Sequence, residues 1–212
     1  LGSYEEIVMK QRGITVIATG LIFLVLGCGI GGADPVTPTL DPNTRVGTLN
    51  ISMDDFSFTP DRIDLTACQK VRVVLSNNSA TNDHGFTVGF GVTKEGGSPT
   101  GFETDWFEEI EVAVTGPAKK VSAGKAILTH DGTGSVENGG GGFMILKAPS
   151  SQATIIEFAV PPTIGDFEFA SFEGGGKHYE DGMKGLIKVF PGKSARNDEV
   201  GKSWQQAKTK CL

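Results

Sequence analysis

The sequence lacks the residue clusters on which nucleic-acid binding and thiol chemistry depend. Its 19 lysines and arginines are outnumbered by 25 aspartates and glutamates, and they form no basic cluster of the kind that binds phosphate. Its three cysteines include no CxxC pair, which excludes a zinc ribbon or a thioredoxin-type redox motif. We therefore predict no nucleic-acid partner.

Known catalytic signatures are missing as well. The chain contains no GxSxG turn and no HExxH helix, so acyl transfer and zinc proteolysis have no visible basis. Four glycines follow one another at Gly139–Gly142, but no Lys-Ser or Lys-Thr comes after them, so they are interpreted as a flexible turn. Adjacent acids such as Glu108–Glu109 are interpreted as part of a solvated surface. The chain is not predicted to be an enzyme.

Long segments with the apolar period of an amphipathic helix are also absent. The 30 glycines and 10 prolines are too many for a helical bundle and are typical of short strands joined by turns. The strand-like segments are Val46–Met53, Phe56–Leu65, Lys70–Asn78, His84–Val92, Gly142–Ala148, Ala153–Val160, Asp166–Ser171 and Gly185–Phe190. This succession predicts an all-β fold, an antiparallel Greek-key β-sandwich.

One interval between these segments, residues 93–141, is too long for a hairpin loop. It is predicted to contain a strand or a short helix and to pack as a flap on the sandwich. Within it, Trp106 and Phe107 stand among acidic residues. The two rings are interpreted either as an exposed docking patch for a partner or as side chains that fix the flap to the core.

The first 32 residues are predicted to anchor the chain to a membrane. Two basic residues precede an uncharged apolar run, and the VLGC at Val25–Cys28 resembles a lipoprotein processing site with Cys28 as the lipidated residue. Alternatively, Gly13–Gly32 is long enough to cross the bilayer as one uncleaved helix. Either anchor places the rest of the chain on the outer, periplasmic face of a bacterial membrane.

A proline-rich segment at residues 33–45 follows the anchor and predicts an extended, semi-stiff spacer. The predicted domain occupies residues 46–191, and a polar tail follows at residues 192–212. Cys68 and Cys211 are predicted either to form a disulfide that holds this tail in an oxidising compartment or to remain two unpaired thiols.

Two regions of the chain resemble the metal-binding regions of cupredoxins, the small blue-copper proteins. Ser76–Val88 reads SNNSATNDHGFTV and is similar to the family's first ligand strand, where an Asn-rich turn leads to a histidine. Ile155–Ser171 and His178–Val189 are similar to the family's last two strands and the ligand loop between them. The resemblance spans residues 46–190, apart from the interval 93–141.

The resemblance implies a copper site at one end of the sandwich. His84 and His178 match the family's two imidazole ligands, and Met183 matches its weakly bound axial thioether. In the family, a cysteine thiolate completes a trigonal set whose soft sulfurs stabilise Cu(I). The third histidine, His130, matches nothing and is interpreted as a loop residue.

Ser171 stands where the family's cysteine is expected. A thiol loses its proton readily to a metal, whereas a serine hydroxyl holds its proton far more tightly and is a poor ligand for Cu(I). Without the thiolate, the site would have neither the intense blue colour nor the usual electron path. Six residues also separate Ser171 from His178, more than in the family, and Gly174–Gly176 predicts a longer and looser loop.

Three functions remain open at this point. The leading prediction is an accessory subunit with an empty or altered site, which docks to a membrane electron-transfer or photosynthetic complex. In the second, copper binds as Cu(I) through His84, His178 and Met183, with water, Ser171 or Glu173 in the fourth place. In the third, the domain is an extracellular binding module without redox chemistry. Copper and no cofactor are equally compatible with the sequence.

Overall fold

The structure, a computed structural model, describes residues 34–107, 110, 112–116, 118–122, 135–137, 142–145 and 153–192. The predicted anchor, with Cys28, lies outside the described residues, as do His130 and Cys211. Within the described ranges, no helix combines the length and the apolar character that a membrane crossing requires.

The described residues form fourteen strands and a single helical turn. The strands are β1 (Thr39–Leu40), β2 (Gly47–Asp54), β3 (Ser57–Thr59), β4 (Arg62–Thr66), β5 (Lys70–Asn77), β6 (His84–Glu95), β7 (Ser98–Asp105), β8 (Val112–Thr115), β9 (Ala118–Ser122), β10 (Ser135–Glu137), β11 (Gly142–Ile145), β12 (Thr154–Ala159), β13 (Gly165–Ala170) and β14 (Lys184–Phe190). The helical turn, α1 (Lys177–Glu180), lies between β13 and β14. The fold is all-β, as predicted.

These strands form the two sheets of a sandwich. The first sheet has the order β1-β2-β5-β12-β8, and β3 also pairs with β2. The second has the order β10-β9-β11-β6-β13-β14-β4, and β7 also pairs with β6. Most pairs are antiparallel, as predicted, but β2 with β5, β14 with β4, and β10 with β9 are parallel. The sheets are therefore mixed in direction.

The core lies between the sheets and is built by alternation of side chains along the strands. In β2, Leu49, Ile51 and Met53 are buried while the residues between them face outward. The same period of two places Val71, Val73 and Leu75 of β5 in the core. Full burial of side chains of this size stabilises the fold by about 1.5–3 kcal/mol each.

The interval 93–141, predicted to be a flap, supplies strands to both sheets where it is described. β7 pairs with the second half of β6 as a hairpin. β8 then crosses to the edge of the first sheet, and β9 and β10 extend the second. The described parts of this interval therefore belong to the sandwich itself.

Trp106 and Phe107 are both fully buried at 0% exposure, so the prediction of an exposed docking patch was wrong. The Trp106 ring lies edge-on to Phe167, with ring centroids 4.8 Å apart, and Phe107 contacts Phe158 at 5.4 Å. The Trp106 backbone N–H also donates to the carbonyl of Val88 at 2.8 Å. Burial of large aromatic rings stabilises a fold because it removes a large apolar area from water. The observed arrangement is the alternative prediction, in which both rings pack in the core.

Part of the segment predicted as a spacer pairs with the sandwich. The Val36 N–H donates to the carbonyl of Arg62 at 3.0 Å, and the Asp64 N–H donates to the carbonyl of Val36 at 2.9 Å. Immediately afterwards, β1 pairs with β2. Residues 36–40 are therefore held against an edge of each sheet and do not form an independent spacer.

Candidate metal centre

The topology brings three separate segments to one end of the second sheet. β13 lies between β6 and β14 and is antiparallel to both, so the end of β13 lies beside the starts of its two neighbours. His84 is the first residue of β6, Ser171 directly follows β13, and Met183 directly precedes β14. His178 lies in α1, within the loop that joins the last two of these segments. The sequence prediction of one shared site is thus consistent with the topology.

The four predicted site residues are buried. His84, Ser171 and Met183 are 0% exposed, and His178 is 7% exposed. The two imidazole rings lie with their centroids 5.2 Å apart. Their Nδ1 atoms face each other at 3.4 Å, and the Ser171 Oγ lies 3.1 Å from the Nδ1 of His178. Two nitrogens and one oxygen therefore converge on one small, water-excluded region.

The separation of the two nitrogens fits a shared metal ion. Imidazole nitrogens bind Zn²⁺ at 2.0–2.1 Å, and two such ligands at a tetrahedral or trigonal angle lie about 3.3–3.6 Å apart. The observed Nδ1 to Nδ1 distance of 3.4 Å falls within that interval. The distance is compatible with an Nδ1–H to Nδ1 hydrogen bond, in which one ring carries the proton, and with a cation shared by both nitrogens.

Ser171 is held by hydrogen bonds on two sides. The Gly85 backbone N–H donates to its Oγ at 2.8 Å, which leaves the hydroxyl proton placed to be donated to the Nδ1 of His178 at 3.1 Å. A side chain on Gly85 would approach this oxygen, since a Cβ built there lies 3.2 Å from the Ser171 Oγ. Ser171 therefore acts in this structure as a hydrogen-bonding neighbour of the imidazole pair.

The loop between Ser171 and His178, which its glycines predicted to be loose, has backbone hydrogen bonds of its own. Gly174, Gly175 and Gly176 have φ of 66°, 68° and 89°, a left-handed conformation that side chains disfavour. The Gly176 N–H donates to the carbonyl of Phe172 at 3.0 Å, and the His178 N–H donates to Glu173 at 3.3 Å. The glycines thus allow a tight turn that delivers His178 into α1.

Met183 is tied to both neighbouring site residues through its backbone. Its N–H donates to the carbonyl of His178 at 2.8 Å, and its carbonyl accepts from the Ser171 N–H at 3.1 Å. Its side chain is part of the buried core. The described residues contain no group of three His, Cys, Asp or Glu side chains able to hold a metal, so a metal here would depend on the thioether and the serine as well as the imidazoles.

Both imidazoles are neutral near pH 7. Burial, reinforced by the neighbouring His178, lowers the pKa of His84 to about 4 from its ordinary value of 6.5, although the carboxylate of Asp55 opposes the change. Burial also lowers the pKa of His178, against the opposing charges of Asp181 and Asp55. Neutral imidazole is the form that binds metal ions, so the site is prepared for a cation without first releasing protons.

Sequence reasoning missed the turn between β2 and β3, which contacts both imidazoles. The Phe56 ring lies edge-on to His178 with centroids 5.2 Å apart, and the Asp55 Oδ1 lies 4.0 Å from the Nε2 of His84. Phe56 was predicted to begin a strand, but its φ is 61°, the conformation of a tight turn. Only the adjacent aspartates before Phe56 signal a turn in the sequence, and they do not reveal what it contacts.

Cys68 lies away from this site. It lies between β4 and β5, and its N–H donates to the carbonyl of Val160 at 2.9 Å. β5 leads from there to Asn77, whose side chain donates to the carbonyl of Asn82 at 3.0 Å, just before His84. Cys68 is disulfide-bonded, which removes it as a thiolate donor. Its pairing with Cys211, which is outside the described residues, stays a prediction.

Comparison with known proteins gives no family assignment, because neither a family model nor a curated protein matches the chain. Among solved structures, Na-dithionite reduced auracyanin from the photosynthetic bacterium Roseiflexus castenholzii is 15% identical, with a TM-score of 0.40 over 68% of this chain and 97% of that chain. Auracyanin A, a "blue" copper protein from Chloroflexus aurantiacus, is 13% identical, with a TM-score of 0.40 over 68% of this chain and 99% of that chain.

Rusticyanin from Thiobacillus ferrooxidans is 14% identical, with a TM-score of 0.38 over 72% of this chain and 86% of that chain. Identities and TM-scores at this level carry no argument about what this chain does. The interpretation of the site depends on the contacts within the chain.

Proposed function

We propose that this chain is a cupredoxin-like copper-binding protein whose site works without a thiolate. His84 and His178 would bind the ion through Nδ1, and Met183 would supply a thioether. The observation that carries the proposal is the facing pair of buried Nδ1 atoms 3.4 Å apart. Two imidazoles and a thioether are a donor set suited to Cu(I).

The same contacts support copper binding over the empty scaffold that the sequence alone favoured. Two imidazoles in a buried region cost desolvation free energy, which the lowered pKa values of His84 and His178 reflect. An apolar pair of similar volume would pack there without that cost. Without metal, the two nitrogens can share one proton in a hydrogen bond. A bound cation would use both lone pairs and would also offset the desolvation cost.

The same contacts argue against a blue electron carrier. At neutral pH the Ser171 hydroxyl keeps its proton, and its Oγ already accepts from Gly85. It therefore supplies no soft, anionic donor of the kind that gives a blue-copper site its colour and its electron path. The copper would be held in a colourless or weakly coloured site, as Cu(I).

We propose further that the site works at the outer face of a membrane, beside an electron-transfer complex. The support for this part is the anchor-like sequence of the first 32 residues, with two basic residues ahead of an apolar run. Pull-down of the anchored chain from membranes, followed by identification of the bound subunits, tests it. Recovery of a carbohydrate or peptide ligand instead would favour the extracellular binding module.

Copper titration of the purified full chain in detergent micelles tests the central proposal. Under anaerobic conditions, Cu(I) is transferred from a chromophoric chelator of known affinity to the wild type and to His84→Ala, His178→Ala and His130→Ala. Loss of an outer partner of a ligand alone weakens metal binding about 10–100-fold, so we expect the first two variants to lose more than about 100-fold. His130→Ala serves as the matched control and should bind like the wild type. Wild-type affinity in His84→Ala or His178→Ala would contradict the proposal.

A further inference from the structure

One nitrogen of the imidazole pair has no hydrogen-bond partner in the described part of the chain. The Nε2 of His84 is completely buried, and no acceptor lies within hydrogen-bonding distance. The Oδ1 of Asp55 lies 4.0 Å from it. That distance is too long for a hydrogen bond, but the carboxylate still acts on the imidazole through its charge. An unpaired buried polar nitrogen is costly, so its placement beside a carboxylate needs a physical reason.

Asp55 is held in place by its own hydrogen bonds. The Ser79 hydroxyl donates to its Oδ1 at 2.5 Å, and the Asn82 Nδ2 donates to the same oxygen at 3.1 Å. Both donors belong to the turn that leads into His84. The next residue, Phe56, has a φ of 61° and contacts His178. The β2–β3 turn is thus fixed against both halves of the imidazole pair.

A metal bound to the Nδ1 of His84 would explain why the Nε2 of the same ring lies beside the carboxylate of Asp55. A neutral imidazole that binds a metal through one nitrogen carries its proton on the other, so Nε2 becomes an N–H donor. The metal withdraws electron density and makes this N–H a stronger donor, and metal-bound histidines commonly donate it to a carboxylate. Asp55 is the carboxylate that faces this nitrogen at 4.0 Å.

We infer that Asp55 is the outer partner of His84 and that it sets the preference of the site between Cu(II) and Cu(I). This inference rests on the proposed copper function. A carboxylate near the site attracts a divalent ion about twice as strongly as a monovalent ion at the same distance. Asp55 therefore stabilises the oxidised ion more than the reduced ion, and it keeps the imidazole oriented for both.

Other carboxylates also act on this imidazole. The charges of Asp55, Asp83 and Asp54 all raise the pKa of His84, and Asp55 does so most strongly, although burial and His178 lower it overall. Asp54 is exposed and is the last residue of β2, directly before Asp55. It accepts a hydrogen bond from the Ser52 hydroxyl at 3.2 Å. A change at Asp54 therefore removes the same charge nearby without removing the acceptor that faces Nε2.

The ratio of Cu(II) to Cu(I) affinity tests the inference in the full chain in micelles. Each affinity is measured by competition with a chelator selective for that oxidation state, for the wild type, Asp55→Asn, Asp55→Glu and Asp54→Asn. Asp55→Asn keeps an oxygen able to accept from Ser79 and Asn82 but removes the charge. We expect it to weaken Cu(II) binding about 10–100-fold and Cu(I) binding by less. We expect Asp55→Glu to lie between it and the wild type, and Asp54→Asn to change the ratio by less than about threefold.

Two results would overturn the inference while leaving the proposed function in place. In the first, Asp55→Asn weakens both oxidation states equally, as a merely structural role of the turn would. In the second, Asp54→Asn lowers the ratio of Cu(II) to Cu(I) affinity as much as Asp55→Asn does. The ratio would then depend on the nearby negative charge and not on the position of Asp55. A wild-type chain that binds neither ion would instead refute the proposed function itself, so the two failures are distinguishable.

Discussion

Ser171→Cys should convert the candidate site into one that contains a copper thiolate. The Oγ of Ser171 now lies 3.1 Å from the Nδ1 of His178. A sulfur and an imidazole nitrogen that share a metal, with bonds of about 2.3 and 2.05 Å, lie about 3.6–3.8 Å apart at angles of 110–120°. The new sulfur must therefore lie roughly 0.6 Å farther from the nitrogen than the oxygen does. The Cβ–Sγ bond of cysteine is longer than the Cβ–Oγ bond of serine, which supplies part of this displacement. A small shift of the backbone around residue 171 must supply the rest.

The expected result is an intense visible absorption band when Cu(II) is added, together with reversible reduction. Sulfur, two imidazoles and a distant thioether are the blue-copper donor set. Because Ser171 is completely buried, the larger atom should also lower the free energy of unfolding of the metal-free variant by about 1–3 kcal/mol. Absorption and electron paramagnetic resonance spectra measure the first effect, and urea denaturation measures the second.

The matched control is Thr39→Cys, which places a thiol on exposed β1, beside the end of β2 remote from Asp55. This variant should stay without the band, because an isolated surface thiol cannot recruit the two imidazoles. If folded Ser171→Cys binds Cu(II) with no stronger visible band than Thr39→Cys, then Ser171 and the two histidines do not surround one point.

Two further predictions concern stability. Trp106→Ala should lower the free energy of unfolding, measured in urea, by about 3–5 kcal/mol because it leaves a cavity in the core. The control Phe190→Ala, at an exposed position, should lower it by about 1 kcal/mol or less. Equal effects of the two substitutions would refute the burial of Trp106. The metal-free chain should be fully stabilised by its neutral His84 above pH 6.5 and lose that contribution as the pH falls towards 4, because the unfolded chain takes up the proton first. The difference between the pKa of His84 in the folded and unfolded chain corresponds to at most ~3 kcal/mol of stability. His84→Gln should therefore make the free energy of unfolding depend less on pH. An unchanged slope in that variant would contradict the lowered pKa of His84.

Much of the sandwich could be predicted from the sequence because alternation is a local signal. Leu49, Ile51 and Met53 point to one face of β2 whatever the rest of the chain does, since successive side chains on a strand alternate. Strand direction is not local in this sense. The parallel pairing of β2 with β5 depends on a crossover through β3 and β4, which the period of apolar residues does not encode. Hence an antiparallel sandwich was predicted and a mixed one is observed.

In the candidate site, too, some residues could be recognised from the local sequence and others only from contacts between distant parts of the chain. His84, His178 and Met183 could be singled out because their residue types are rare and their spacing resembles a known pattern. Asp55 and Phe56 could not, because their importance lies in a contact between a turn and residues more than twenty positions away. Trp106 and Phe107 were ambiguous for a related reason: acidic neighbours along the chain suggest exposure, but the strand pairing decides which way a side chain points.

The three consecutive left-handed glycines between Ser171 and His178 limit which substitutions this loop can accept. Each L-residue placed in that conformation costs about 1–2 kcal/mol, and at Gly176 a side chain would also collide with the backbone of Pro99. Substitutions at these glycines should therefore be rare among related sequences. Substitutions at the exposed Lys177 and Glu180 of α1 should be more common. The side chains of Ser171 and His178 could therefore change in evolution while the bend between them is kept.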